Sequence, residues 1–133
     1  MIPIIDHINR HVSDVWKHAD FYTGVLGYEL IGSGLKTGGE RFVILRGSGH
    51  ELFLSEKEGF SAGTGSLRHI GYAVPDIEEF RRALLLTGYS EEDLQIVEKP
   101  CSRQIYLRDP DGMEIDVIQW TDKEGFYGSQ RKE

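Results

Sequence analysis

Cysteine is nearly absent from these 133 residues, Cys101 being the only one. An intrachain disulfide is therefore excluded, and the composition suits a reducing cytoplasm, with Cys101 itself reading as a small filler near a strand start. Long apolar runs are missing too. None approaches the ~18 residues a membrane span needs, and Ile2-Pro3-Ile4-Ile5 meets Asp6 with no basic leader, so neither a membrane partner nor a signal peptide is expected. Positive charge is scarce: 15 Lys and Arg face 22 Asp and Glu, a net charge of −7, which argues against nucleic acid or an anionic membrane as partner.

Familiar catalytic patterns also fail on inspection. His50-Glu51-Leu52-Phe53-Leu54 begins like a zinc-protease helix, but its fifth residue is Leu and its setting is a strand. Gly32-Ser33-Gly34 opens like a dinucleotide loop, but Thr37 stands where a third glycine belongs. Ser33, Ser48 and Ser55 lie in no nucleophile elbow.

What is present is a repeat. Residues 7–14 read H-I-N-R-H-V-S-D and residues 69–76 read H-I-G-Y-A-V-P-D, with the two histidines 62 positions apart. Each copy leads into a helical pattern that ends in Gly-Tyr, at Gly27-Tyr28 and at Gly88-Tyr89. One supersecondary unit used twice is the simplest explanation. Halves of this size bury too little surface alone, so they should share a core within one domain.

The pattern predicts a strand over 4–12, a helix capped by Ser13 or Asp14 and ended by Gly27, and a strand over 28–31. A glycine-rich loop over 32–39, a strand over 41–46, a turn at Gly47-Ser48-Gly49 and a strand over 50–55 complete the first unit. The second repeats it with a strand over 68–74, a helix from Ile77 to about Leu86, and strands over 94–98, 104–108 and 113–120. Asp109-Pro110-Asp111-Gly112 is the strongest turn signal, since Pro presets the second position and Gly accepts a positive φ at the fourth. The expected fold is α+β: two tandem βαβββ modules forming a cup-shaped mixed sheet with helices outside. Module one spans about 1–57, a linker 58–66, module two 67–120 and a polar tail 121–133, all within a single domain.

Strand alternation places chemistry on one face. If Met113, Ile115 and Val117 pack on the helix, Glu114 and Asp116 face away; if Leu52 and Leu54 do, Glu51, Phe53 and Ser55 face away. Each unit then offers one His from its first strand, His7 or His69, and acid from its last, Glu51 or Asp116. Two imidazoles and two carboxylates suit one divalent ion such as Zn, Ni, Fe or Mn, with open positions only if the ion is five- or six-coordinate. His11 has no histidine counterpart, because Ala73 stands there, and reads as a polar core or rim residue. Gln104, Tyr106 and Arg108 alternate with Ile105 and Leu107, putting a hydroxyl and a guanidinium on the same side.

At these residues the chain resembles the vicinal oxygen chelate superfamily, which includes glyoxalase I, methylmalonyl-CoA epimerase, extradiol dioxygenases, and the fosfomycin- and bleomycin-resistance proteins. The resemblance covers nearly all of 4–120, through F-Y-T-G-V-L-G-Y, R-H-I-G-Y-A-V and Y-L-R-D-P-D-G-M-E-I-D-V. It implies metal ligation by His7, Glu51, His69 and the residue four beyond the turn glycine, Asp116, where Glu is usual; Glu114 is the alternative. It also implies a homodimer and a metal-dependent lyase or isomerase like glyoxalase I or an epimerase, acting on a small oxygenated substrate such as a hemithioacetal or 2-oxo acid derivative. Glu51 would shuttle the proton with Asp116 across the metal, and Tyr106 and Arg108 would contact the substrate. An Fe(II) extradiol-type dioxygenase, for which His7, His69 and Asp116 suffice, and a metal-free small-molecule-binding resistance protein are the alternatives.

Overall fold

A computed structural model describes residues 1–2, 4–61 and 67–129. It explains why the two halves share the residues they do. In each, the histidine opens a strand, β1 (His7–Val12) or β5 (His69–Ala73), and the aspartate seven positions later caps the next helix. Asp14 accepts hydrogen bonds from the Trp16 and Lys17 amides at the start of α1 (Val15–Leu26), and Asp76 accepts from those of Glu78 and Glu79 at the start of α2 (Ile77–Leu85). Such caps satisfy amides that the first helical turn leaves unpaired. Gly27, at φ 72°, ends α1 in a left-handed conformation that L side chains rarely adopt.

The first module continues with β2 (Glu29–Leu35), β3 (Arg41–Arg46) and β4 (Glu51–Glu56), in a sheet of order β1-β4-β3-β2. The second, after β5 and α2, has a 3-10 turn at Glu92–Leu94, then β6 (Val97–Lys99), β7 (Ser102–Arg108) and β8 (Glu114–Trp120), in order β5-β8-β7-β6. First and last strands run parallel in both sheets and the remaining pairs antiparallel, so each sheet is mixed and the α+β class with two tandem βαβββ modules stands. Two compact units result: Met1–Gly65 with Asp109–Gly112, and Ser66–Arg108 with Met113–Glu133. The expected linker falls largely on residues 62–66, outside the described residues.

Each helix covers one face of its own sheet. Val15, Ala19 and Tyr22 of α1 bury against Val43, Leu45, Leu52 and Leu54, while Ile77 and Leu84 of α2 lie in a core with Leu94, Ile105, Leu107, Ile115 and Val117. Each fully buried side chain of this kind contributes roughly 1.5–3 kcal/mol. Three expectations need correction. The loop placed over 32–39 is strand as far as Leu35, because Gly34 makes room for a neighbour: a Cβ there would stand 3.1 Å from the Phe42 ring. The strand placed over 94–98 is instead a 3-10 turn and a shorter strand, since Leu94 turns into the core. The polar tail carries α3 (Lys123–Ser129), whose Phe126 and Tyr127 rings lie 5.4 and 5.7 Å from Trp120.

The first unit encloses a charged knot beneath α1. Arg10 projects from β1 to the helix side, opposite to His7, and its side chain is 8% exposed. It donates to the Tyr22 hydroxyl at 2.7 Å and to Asp109 at 3.1 Å, while Tyr22 donates to the same Asp109 oxygen at 3.0 Å. Burial works to lower the Arg10 pKa, but Tyr22 and Asp109 outweigh it and the group stays firmly charged. Burial first, then the carboxylate, pushes the Tyr22 phenol far up. Asp111, in the same turn, accepts from the Ser13 amide at 2.9 Å and lies 3.3 Å from His18 Nε2. Removing one partner of a buried ion pair strands the other charge. Asp109→Ala is therefore expected to lower stability by about 3–5 kcal/mol in urea unfolding, and an unchanged midpoint would refute this account of the knot.

Candidate metal centre

Strand register decides which polar groups meet. In the first unit His7 pairs with Glu51 across β1 and β4, and Arg46 pairs with Glu51 across β3 and β4. Leu52 and Leu54 are fully buried beneath α1, so side-chain alternation turns Glu51 and Phe53 to the open face with His7. His7 stacks on Phe53 with ring centroids 5.0 Å apart, and its Nδ1 donates to Asp6 at 2.8 Å. A donor bond at Nδ1 leaves the Nε2 lone pair outward, the tautomer a metal-ligating histidine needs. Glu51 has Arg46 at 3.8 Å.

The second unit brings its groups closer. His69 pairs with Glu114 and Gly71 with Asp116 across β5 and β8, while Ile115 and Val117 are fully buried on the helix side. His69 Nδ1 stands 3.4 Å from Glu114 and its Nε2 3.7 Å from Asp116. One ligand atom from each of the three lies within 4.8 Å of the others. Donors around a single ion at ~2.1 Å stand roughly 3–3.5 Å apart, so a small contraction would complete the set. Register alone makes Glu114 the counterpart of Glu51, yet Glu114 and Asp116 stand at different ring nitrogens. Glu114 faces Nδ1, where an acceptor orients the ring, and Asp116 faces Nε2.

Two features of Asp116 fit a cation. Its Oδ1 is buried with no hydrogen-bond partner among the described residues. Its pKa is raised, first by burial and then by hydrogen bonding to and repulsion from Glu114, with His69 and Lys99 opposing. Tyr106 pairs with Asp116 and Arg108 with Glu114 across β7 and β8, so both lie on the open face beside the acids, as their alternation predicted. Sequence reasoning passed over Lys99, which ends β6 and donates to the Tyr106 hydroxyl at 2.6 Å. It also passed over the knot, where Arg10, Tyr22 and Asp109 read singly as strand, helix and turn residues. Their only sequence signal was a charge on the apolar side of β1.

The Glyoxalase/Bleomycin resistance protein/Dioxygenase superfamily profile matches residues 4–117, and the chain belongs to that superfamily. Among solved structures it is similar to a glyoxylase/bleomycin resistance protein/dioxygenase domain from Frankia sp. EAN1pec, at 18% identity and TM-score 0.73 over 90% of this chain and 99% of that one. It is also similar to lactoylglutathione lyase from Agrobacterium tumefaciens, at 18% and 0.66 over 96% and 98%. An antibiotic-binding protein from Streptomyces sp. CB03234 matches at 26% and 0.66 over 90% and 97%. No curated protein matches the sequence. The superfamily thus holds both enzymes and binding proteins, and the choice rests on the site. No helix among the described residues is long and apolar enough to cross a membrane.

The raised Asp116 pKa has a signed consequence for the metal-free protein. The folded state holds this proton more tightly than the unfolded one, so ionised Asp116 opposes folding above its ordinary pKa of 3.8. That opposition is absent below 3.8 and grows as pH rises through the raised value. Asp116→Asn should therefore melt higher than the parent at pH 7, with the gain vanishing below pH 3.8. Melting curves across pH check this, and a gain that persists in acid would contradict it.

Proposed function

We propose that the chain is a metal-dependent lyase or isomerase of the glyoxalase or epimerase kind, with His7, Glu51, His69 and Asp116 as the ligands of one divalent ion. The observation that carries this reading is the imidazole of His69 set between two carboxylates, one of which keeps a buried oxygen without a hydrogen-bond partner among the described residues. Neutral imidazole and carboxylate suit Zn, Ni, Fe or Mn. When bound, the ion would supply Lewis acidity toward a small substrate with two neighbouring oxygens.

The protein's own groups do the rest. Asp6 holds the His7 ring by Nδ1 and Glu114 stands 3.4 Å from Nδ1 of His69, which leaves the Nε2 of each ring for the ion. Glu51 takes a proton from one substrate carbon and returns it to the neighbouring carbon, so the reaction is an isomerisation with no net loss. Tyr106 and Arg108 orient the substrate from β7. The reading includes a cytoplasmic location and a homodimer.

A second reading has its own observation. Asn9, Phe42, Ile44 and Phe53 line a largely apolar cavity of about 160 Å³ on the first sheet's open face, which suits capture of an apolar molecule without turnover. Elemental analysis separates the readings. Zn, Ni or Mn near one per chain supports the proposal, Fe favours ring-cleaving oxygenase chemistry, and no metal favours capture. His69→Ala should lower metal content at least about ten-fold, the loss that removing even a ligand's hydrogen-bond partner brings; full retention would place the metal elsewhere. Under saturating metal, Glu51→Gln should slow solvent-deuterium exchange into a 2-oxo substrate by about 10²–10⁴, and unchanged exchange would remove Glu51 from the role.

A further inference from the structure

Lys99 forms no ion pair among the described residues. Its ammonium donates to the Tyr106 hydroxyl at 2.6 Å and lies 5.4 Å from the centre of that ring, and Tyr106 in turn donates to Gln104. Among the described residues no carboxylate stands within ion-pair distance of it. A lysine ammonium held by a hydroxyl and a ring face has two further N–H donors, at a fixed place instead of swinging in solvent. That place is on the acids' side of the sheet. Tyr106 is the cross-strand partner of Asp116, so the Lys99 ammonium at its hydroxyl stands on the face that Asp116 occupies.

Gly71 supplies a second, separate observation. It is the partner of Asp116 on the other side, completing the row Gly71–Asp116–Tyr106. Glycine inside a strand weakens it and commonly marks a close approach by something else. Here its φ is not positive, and a Cβ at this position would meet nothing within 4 Å among the described residues. Neither backbone conformation nor packing calls for glycine. What the missing side chain leaves is room over the sheet directly beside the carboxylate.

We propose that this row is a substrate seat for an oxyanion: the substrate's chelating oxygens lie over Gly71 beside His69 and Asp116, and a second, anionic group reaches Lys99. The substrate class is then a 2-hydroxy or 2-oxo acid with a carboxylate or phosphate at its far end. Lys99 binds that group and Tyr106 positions Lys99. The inference rests on the metal reading above, and a lysine donor to an oxyanion adds a charge-assisted hydrogen bond, so roughly ten-fold or more in affinity is at stake.

The test is calorimetric titration of the nickel-loaded protein with lactate, malate and 3-phosphoglycerate, which share a 2-hydroxy acid and differ at the far end. Malate or phosphoglycerate should bind at least about ten-fold more tightly than lactate, and the tighter of the two identifies the anion. Lys99→Met should bring that ligand to the lactate level with nickel uptake and lactate affinity kept, and Lys99→Arg should restore part of the difference. Gly71→Val should weaken all three ligands while nickel alone still binds. Equal binding of the three by the parent, or a preference that survives Lys99→Met, overturns the seat and leaves the metal reading standing. A parent protein that takes up no nickel overturns both.

Discussion

The parallel pairing of the first and last strand in each module is the constraint from which the rest of the site follows. It sets an imidazole beside an acid twice, His7 by Glu51 and His69 by Glu114. Those polar contacts are too exposed to hold the register themselves. The apolar half of each last strand does so: Leu52, Leu54, Ile115 and Val117 are all fully buried. Because side chains alternate with a period of two, a slip of one residue would turn Glu51 or Asp116 into the core and a leucine or valine out to water. Burial of four aliphatic side chains thus decides where the acids point.

Register brings the groups to one face, and the neighbouring carboxylates decide which atom does what. Asp6 stands next to His7 in sequence and Glu114 next to His69 across the sheet, yet both take up the Nδ1 side of a ring. The two modules therefore reach the same ring orientation by different routes. That is why a search for a strict internal counterpart of Glu51 finds Glu114, while the family pattern finds Asp116. Asp116 lies 3.7 Å from Nε2 and its Oδ1 has no hydrogen-bond partner among the described residues.

Much of this was legible from residues alone. The V-x-D ending of each repeat encodes a helix cap, and alternation in β4, β7 and β8 named the outward residues correctly, because both are local rules with short reach. The glycines at 32 and 34 misled for a physical reason: loop glycine and strand glycine look alike until the cross-strand partner, here Phe42, is known. Leu94 misled likewise, since an isolated leucine does not reveal whether it joins a sheet or plugs a core. The knot of Arg10, Tyr22 and Asp109 was out of reach, because its members are 12 and 99 positions apart and each has an ordinary local explanation.

The acidic pair in β8 bears most on what the protein is for. Glu114 and Asp116 share one face two positions apart, and the environment resists ionising Asp116 through burial and through Glu114 itself. His69 and Lys99 offset part of this and leave a net upward shift. A strand selected for stability alone would carry threonine or valine there, which suit a half-buried pleated surface without the repulsion. Charges that oppose folding and still crowd one imidazole have a common physical explanation, which is that the balancing charge arrives from outside the chain. A divalent cation between His69 and Asp116 would reverse the sign of the electrostatics, turning mutual repulsion of the acids into shared attraction. Lys99, two strands out from the acids beyond β7, would then face whatever negative charge the cation gathers.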